Sequence, residues 1–282
     1  MDIVNFLESH RIWTAIFFGA AGACVASYIG LLADRLPYIL GWRTMGRDTK
    51  ASNIWQNTTT QRSLCGACHH PLDALSLVPI LGWLIRGGKC HFCEEKISPI
   101  YPIFESVLFF LSFLLSLELG FGLNLCLFIL ALWAVASLAF IDFAEAWLPL
   151  RITIPLLSLG FILSPYGDQR EKLTAMAIAV ACMVLSFALT TIRHRINVFN
   201  GGDLVFLAAA GAWFGFPKIV LLLIGVFLSH LIFYVVAIMV DFKWRPKDLE
   251  MSEYLSDKFF MPMGPFIAIS FIMMLFVAPY LH

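Results

Sequence analysis

The amino-acid sequence predicts an all-α polytopic membrane protein with about eight transmembrane helices and one small polar lobe. Of the 282 residues, 60% are hydrophobic and only 13% are charged, whereas an ordinary soluble domain is about one quarter charged. This composition leaves too little polar surface to enclose a single water-soluble core. The net charge is zero, so there is no bulk attraction to nucleic acid, and no nucleic-acid partner is expected.

Eight apolar runs, separated by Gly-, Pro- and Asn-containing breaks, account for the predicted helices. Crossing a bilayer takes about 20 apolar residues, and the fourth and sixth runs are shorter than this. Because Asp2 and Glu8 precede the first run and Arg11 is the only basic residue before it, the run is interpreted as a retained helix rather than a signal peptide. The predicted spans are 12–33, 101–119, 123–141, 152–166, 173–191, 204–216, 219–240 and 260–281.

The basic residues predict the orientation of these helices. With the N-terminus outside, 15 of the 19 Lys and Arg residues fall in the inner loops, as the positive-inside rule requires. These loops are 34–100, 142–151, 192–203 and 241–259. In this topology both termini lie outside, and Asp142 and Asp203 both lie at inner helix ends.

The polar loop between the first two spans contains two Cys-x-x-Cys pairs with 21 residues between them. Two such pairs typically complete a tetrahedral zinc site, and four protein ligands make that site structural rather than catalytic. A cytoplasmic loop is also reducing, which disfavours disulfides. Alternatives are two unrelated pairs, a redox dithiol, or a site in which His69, His70 or His91 replaces a cysteine. The predicted ligands are Cys65, Cys68, Cys90 and Cys93.

Asp142 and Asp203 are the candidate catalytic residues. An acid in a membrane helix is costly unless it faces protein or water, and is therefore a functional candidate. If the two carboxylates meet, they share a proton, so that one acts as a general base on water and the other as a general acid toward a carbonyl. Gly201 and Gly202 precede Asp203 and permit close approach or a positive φ.

Two other interpretations of these acids stay open. Each aspartate could simply cap a helix or lie in interfacial water. Alternatively, Asp142 and Glu145 lie three residues apart on one helical face and could form an ion or proton site. Together with the semi-buried Glu105 and His230, they would then serve an ion- or proton-coupled transporter.

Several motifs resemble the type IV prepilin peptidases, bacterial inner-membrane enzymes of type IV pilus and type II secretion systems. The first is ASYIGLLADRLP, residues 26–37, and the second is SLVPILGWLIRGGKCHFCEEKISPIYPIFE, residues 76–105. The third is an Asp before Leu-Pro, here Asp142. The fourth is a Gly-Asp pair opening a helix, here Gly202 and Asp203.

The resemblance implies an aspartic endopeptidase that removes the basic leader of prepilins or pseudopilins after a glycine, at the cytoplasmic face. It further implies S-adenosylmethionine-dependent N-methylation of the new N-terminus. By the same resemblance Asp142 and Asp203 are catalytic, and the four paired cysteines hold zinc. Implied partners are the prepilin substrates and the pilus or type II secretion machinery, and both termini would be periplasmic. The sequence shows no glycine-rich nucleotide motif, so peptidase activity alone is an alternative.

The sequence departs from the family pattern at three positions. Asn200 stands where the family usually has Gly, Val205 where it has Lys, and Leu150 where it has Asp. Asn tolerates positive φ, so Asn200 can preserve the backbone shape. The expected organisation is a first transmembrane helix (1–33), a cytoplasmic zinc-binding lobe associated with methyl transfer (34–100) and a transmembrane aspartic peptidase bundle (101–282).

Overall fold

A computed structural model describes residues 10–39, 63–194 except 66 and 69, 201–240 and 262–281. In these ranges the chain is helical, and its only β-pairing consists of two isolated antiparallel bridges. The chain forms two compact units, Met1–Leu125 and Cys126–His282.

The described residues contain nine α-helices and two short 3-10 helices, Leu75–Leu77 and Ala278–Tyr280. In chain order the helices are α1 (Arg11–Ile39), α2 (Leu81–Ile85), α3 (Ile100–Leu119), α4 (Leu123–Glu145), α5 (Leu150–Leu163), α6 (Gln169–His194), α7 (Gly201–Phe214), α8 (Lys218–Met239) and α9 (Gly264–Val277).

Five of these helices, α1, α3, α4, α6 and α8, are long and apolar enough to cross a membrane. The prediction of a polytopic helical membrane protein is confirmed at this level. Helices α5, α7 and α9 overlap the other three predicted spans, and each has 14 residues. The fourth and sixth spans were predicted to be short, whereas the predicted eighth span, 260–281, is longer than α9. A 14-residue helix is about 21 Å long, less than the roughly 30 Å of a bilayer core. Helix α1 also continues beyond the predicted residue 33, as far as Ile39.

In the first unit, α1 packs closely along α3. Glycines of α1 face this contact, because a Cβ on Gly22 would lie 2.6 Å from Ser112 Oγ, and one on Gly30 would lie 2.9 Å from the Tyr101 ring. Small residues let membrane helices approach until their backbones are close, which increases dispersion contact where no hydrophobic effect drives association.

The second unit is organised around Trp213 of α7, whose side chain is fully buried. Its indole N–H donates to the carbonyl of Leu156 on α5 at 2.8 Å. The ring contacts Phe128 of α4 and Phe271 of α9 edge-on, with centroids 6.0 and 6.1 Å apart. Helix α7 is thereby fixed between three neighbours, which defines where its first turn lies.

Lys172, in the first turn of α6, caps the C-terminal end of α5. Its side chain is 4% exposed, and its Nζ donates to the carbonyls of Gly160, Phe161 and Ser164 at 3.2, 3.1 and 2.9 Å. The last carbonyls of a helix lack intrahelical donors and carry partial negative charge. A buried ammonium with three such acceptors is well satisfied and holds α6 against α5.

Candidate active site and metal centre

Asp142 lies in the last turn of α4, and its side chain is only 1% exposed. Helix α4 ends three residues later at Glu145, because Ala146 adopts a positive φ of 53°, and the Ala146 N–H donates to the Asp142 carbonyl at 2.8 Å. This closure resembles the left-handed caps that commonly end helices. Pro149 then immediately precedes α5, so the connection beside Asp142 is short.

Asp203 lies in the first turn of α7 and is 7% exposed. The backbone of Gly202 is helical and buried, so this glycine does not use the positive φ that the sequence allowed. Asn200, which precedes this turn, lies outside the described residues. Asp203 is therefore held by the fixed first turn of α7.

The two carboxylates belong to the same unit, and both are buried at helix ends. Asp203 Oδ1 is buried and accepts no hydrogen bond from the described residues. Asp142 Oδ2 accepts the backbone N–H of Gly264 at 2.8 Å. A buried acceptor without a partner costs about 1–3 kcal/mol, and such a cost in a native structure calls for a water, ion or functional explanation.

The sequence did not identify Gly264 as part of this arrangement. The only local signal is the Gly-Pro pair in MPMGPF at the start of the last apolar run, because Pro is favoured at the first positions of a helix. The contact with Asp142 joins residues 122 positions apart, and such a pairing has no local signature.

Glu105 and His230, which the ion or proton interpretation also used, make contacts with other helices or turns. Glu105, 7% exposed, accepts the backbone N–H of Ile80 at 2.7 Å, where Ile80 has a positive φ of 63°. The ring of His230 packs edge-on against Phe266, with centroids 4.7 Å apart. Glu145 is half-buried at the end of α4. Glu105 thus has a structural partner, whereas His230 Nδ1 is buried and makes no hydrogen bond to the described residues.

The four paired cysteines come together in the first unit, with all four Sγ atoms within 4.8 Å of one another. Each pair lies in a similar tight turn. Cys65 N–H donates to the carbonyl five residues on at 2.9 Å, and Cys90 N–H does the same at 2.9 Å. Isolated bridges Leu64–Pro71 and Lys89–Lys96 close the two turns.

The sulfur spacing fits a tetrahedral metal ion. Cys65 and Cys93 Sγ lie 3.7 Å apart, and Cys68 and Cys90 Sγ lie 3.9 Å apart. Two thiolates, each about 2.3 Å from zinc in a tetrahedron, lie about 3.8 Å apart. The separations are too long for a disulfide, in which the sulfurs are about 2.05 Å apart, and all four thiols are free.

The backbone around Cys90 favours its thiolate form, and two nearby histidines lie outside the cluster. Hydrogen bonds from the backbone of Cys93 and Phe92 lower the pKa of the Cys90 thiol to about 7. His91 lies 3.2 Å from Arg86 Nη1, and the His70 ring stacks on Phe92. Neither histidine belongs to the four-sulfur group. His69 lies outside the described residues.

Comparison with known proteins identifies relatives of this chain. Residues 20–119 match the family model described as the bacterial Peptidase A24 N-terminal domain, and residues 126–238 match the Type IV leader peptidase family. Proteins named prepilin leader peptidase/N-methyltransferase are similar over most of their length. The protein from Neisseria gonorrhoeae is 30% identical, over 78% of this chain and 79% of its own. The protein from Aeromonas hydrophila is 30% identical, over 73% and 76%.

The chain belongs to the type IV leader peptidase family. The resemblance drawn from the sequence motifs is thereby confirmed. No solved structure matches the chain. Family membership and five apolar helices together indicate an inner-membrane protein.

The three departures from the family pattern lie near the two aspartates in sequence. Leu150, where the family usually has Asp, is the first residue of α5 and is 47% exposed. Val205, where the family usually has Lys, is half-buried in α7, two residues after Asp203. Replacing Lys with Val removes a cation from this turn, while the buried pair of acids is retained.

Proposed function

We propose that this protein is a prepilin peptidase in which Asp142 and Asp203 form the catalytic pair. The observation that carries the proposal is the burial of both acids at helix ends of one unit, with Asp203 Oδ1 making no hydrogen bond to any described residue. Two buried carboxyl groups in one unit are costly for stability alone, and ionisable groups inside a membrane bundle are functional candidates. The prepilin leader peptidase names of its relatives support the same substrate class.

The two acids perform peptide hydrolysis by dividing acid and base work. The ionised member takes a proton from water as the hydroxide oxygen attacks the carbonyl carbon of the leader glycine. The protonated member donates its proton to the carbonyl oxygen, which gives a tetrahedral diol. The proton taken from water then passes to the amide nitrogen, the C–N bond breaks, and one hydroxyl proton of the diol returns to the pair, which leaves the leader carboxylic acid and a free amine. General acid–base catalysis of this kind contributes about 10²–10⁴-fold for each group.

The proposed site lies at the cytoplasmic boundary of an eight-helix membrane bundle. Positive-inside counting places the end of α4 and the start of α7 on the inner side, where water is available. A prepilin presents its scissile bond just outside an apolar helix, so a site at this boundary meets the bond without unfolding that helix. The short α5, α7 and α9 complete the bundle in this proposal.

The four-cysteine cluster is proposed to hold a structural zinc ion. Cys65, Cys68, Cys90 and Cys93 would supply four thiolates, which leaves no open position for a substrate. The ion would hold together a lobe with few buried apolar residues. Its role is therefore folding rather than hydrolysis.

We further propose methylation of the new N-terminal amine, because the relatives are named N-methyltransferases. S-adenosylmethionine would supply the methyl group. In the same proposal the substrate carries a basic leader, and the pilus or type II secretion machinery receives the processed product.

Co-expression with a prepilin that carries a basic leader and a Gly-Phe junction tests both activities at once. The expected result is a shortened pilin whose N-terminal peptide is heavier by about 14 Da, one added CH₂. A shortened pilin without this gain would remove the methyltransferase from the proposal. Intact prepilin throughout a panel of such substrates, with the protein folded in the membrane, would contradict the peptidase.

A further inference from the structure

The carboxylate of Asp142 is held by a group outside the catalytic pair. Its Oδ2 accepts the N–H of Gly264, 2.8 Å away and 122 residues later in the chain. Gly264 is the first residue of α9. The first N–H groups of a helix have no intrahelical acceptor, and the positive end of the helix dipole favours a carboxylate there. One bond therefore satisfies both the helix start and the buried acid.

Only glycine fits at this position. A Cβ on residue 264 would lie 2.6 Å from Asp142 Oδ2, 2.9 Å from its Cβ and 3.0 Å from its Cγ. Asp142 has little room to withdraw, because its side chain is 1% exposed. Pro265 follows, which fixes the backbone of the first turn. The backbone of Gly264 therefore lies directly against the Asp142 carboxyl group, which is the group that would perform the chemistry.

We propose that Gly264 is a positioning residue that fixes one oxygen of Asp142, so that its carboxyl group keeps the orientation needed beside Asp203. The inference rests on the proposed function, because positioning has catalytic meaning only if Asp142 reacts. Misplacing a catalytic group by about 1 Å can cost about 10²-fold in rate. The starts of α7 and α9 and the end of α4 would then form one three-helix site.

Kinetics of the Gly264→Ala variant provide the first test. The added methyl displaces the Asp142 carboxyl group, so kcat for leader removal is expected to fall at least about ten-fold. KM should stay within about two-fold, because Gly264 is buried and its expected effect is on the Asp142 carboxyl group rather than on binding. The matched control is Gly225→Ala, in which a Cβ would lie 3.0 Å from Ser270 Oγ of the same α9. It disturbs α9 packing away from Asp142 and should keep kcat within about three-fold.

Hydrogen exchange provides a second test that needs no activity and no folded Gly264 variant. In Asp142→Ala, the Gly264 N–H loses its acceptor, so its exchange is expected to rise at least about ten-fold. Asp203→Ala should leave that amide unchanged.

Two results would overturn the positioning role: unchanged Gly264 exchange in Asp142→Ala, or a folded Gly264→Ala variant whose kcat matches Gly225→Ala. Failure of the proposed function would give a different result from failure of the positioning role. In that case the exchange effect persists, but Asp142→Asn still removes leaders.

Discussion

Replacing Asp142 or Asp203 with asparagine is expected to lower the rate of leader removal by at least about 10³-fold. Asparagine keeps the size of the side chain and can still accept the Gly264 N–H at position 142, so the fold is preserved. It cannot take a proton from water or hold the shared proton. Removing both acids should cost little more than removing either one, because residues that act as a unit are not additive. Leader removal is measured on purified protein with a synthetic prepilin.

Glu145→Gln is the matched control for this prediction. Glu145 lies three residues after Asp142 on the same helix and is the partner that an ion or proton site would use. Its replacement is expected to keep the cleavage rate within about ten-fold of the wild type. The catalytic pair would be refuted if Asp203→Asn cleaved normally while Glu145→Gln did not.

Removing the metal is expected to unfold the lobe of the first unit. Its regular structure in residues 63–99 consists of short turns, α2 and two isolated bridges, and zinc affinity in such small sites is folding free energy of about 10–16 kcal/mol. Purified protein should contain one zinc ion per chain. The variant Cys90→Ser, or treatment with a chelator, should lose the metal and expose the lobe to trypsin at Lys89 and Lys96.

Cys24→Ser is the matched control for the metal site. Cys24 belongs to the same unit and is also a free thiol, but it lies outside the four-sulfur group. Metal content and trypsin resistance are expected to equal those of the wild type. Wild-type protein without stoichiometric metal, or a lobe that resists trypsin after chelation, would contradict a structural zinc site.

Features that depend on local pattern were predictable from the sequence. Apolar runs locate the helices because burial in lipid requires long uninterrupted apolar segments. The two Cys-x-x-Cys pairs predicted the cysteine cluster because each pair carries its own turn. Asp142 and Asp203 could be placed at helix ends because each interrupts or opens an apolar run.

Features that depend on tertiary contact were not predictable. Hydropathy predicted that α5 and α7 are short, but it does not show where a helix ends, so the 14-residue length of α9 was missed. Lys172 looks like an outer-loop cation in the sequence, but it is buried against the end of α5. The Gly264 contact with Asp142 has no local pattern, since it arises only when two distant helix ends meet.

The most direct test of the central claim is a single-turnover cleavage in oxygen-18 water containing hydroxylamine. If Asp142 and Asp203 act on water, the released leader ends in a free carboxylate that carries one oxygen-18 atom, and no hydroxamate forms. A leader hydroxamate would reveal an acyl-enzyme formed by a side-chain nucleophile. That result would contradict direct hydrolysis by the aspartate pair.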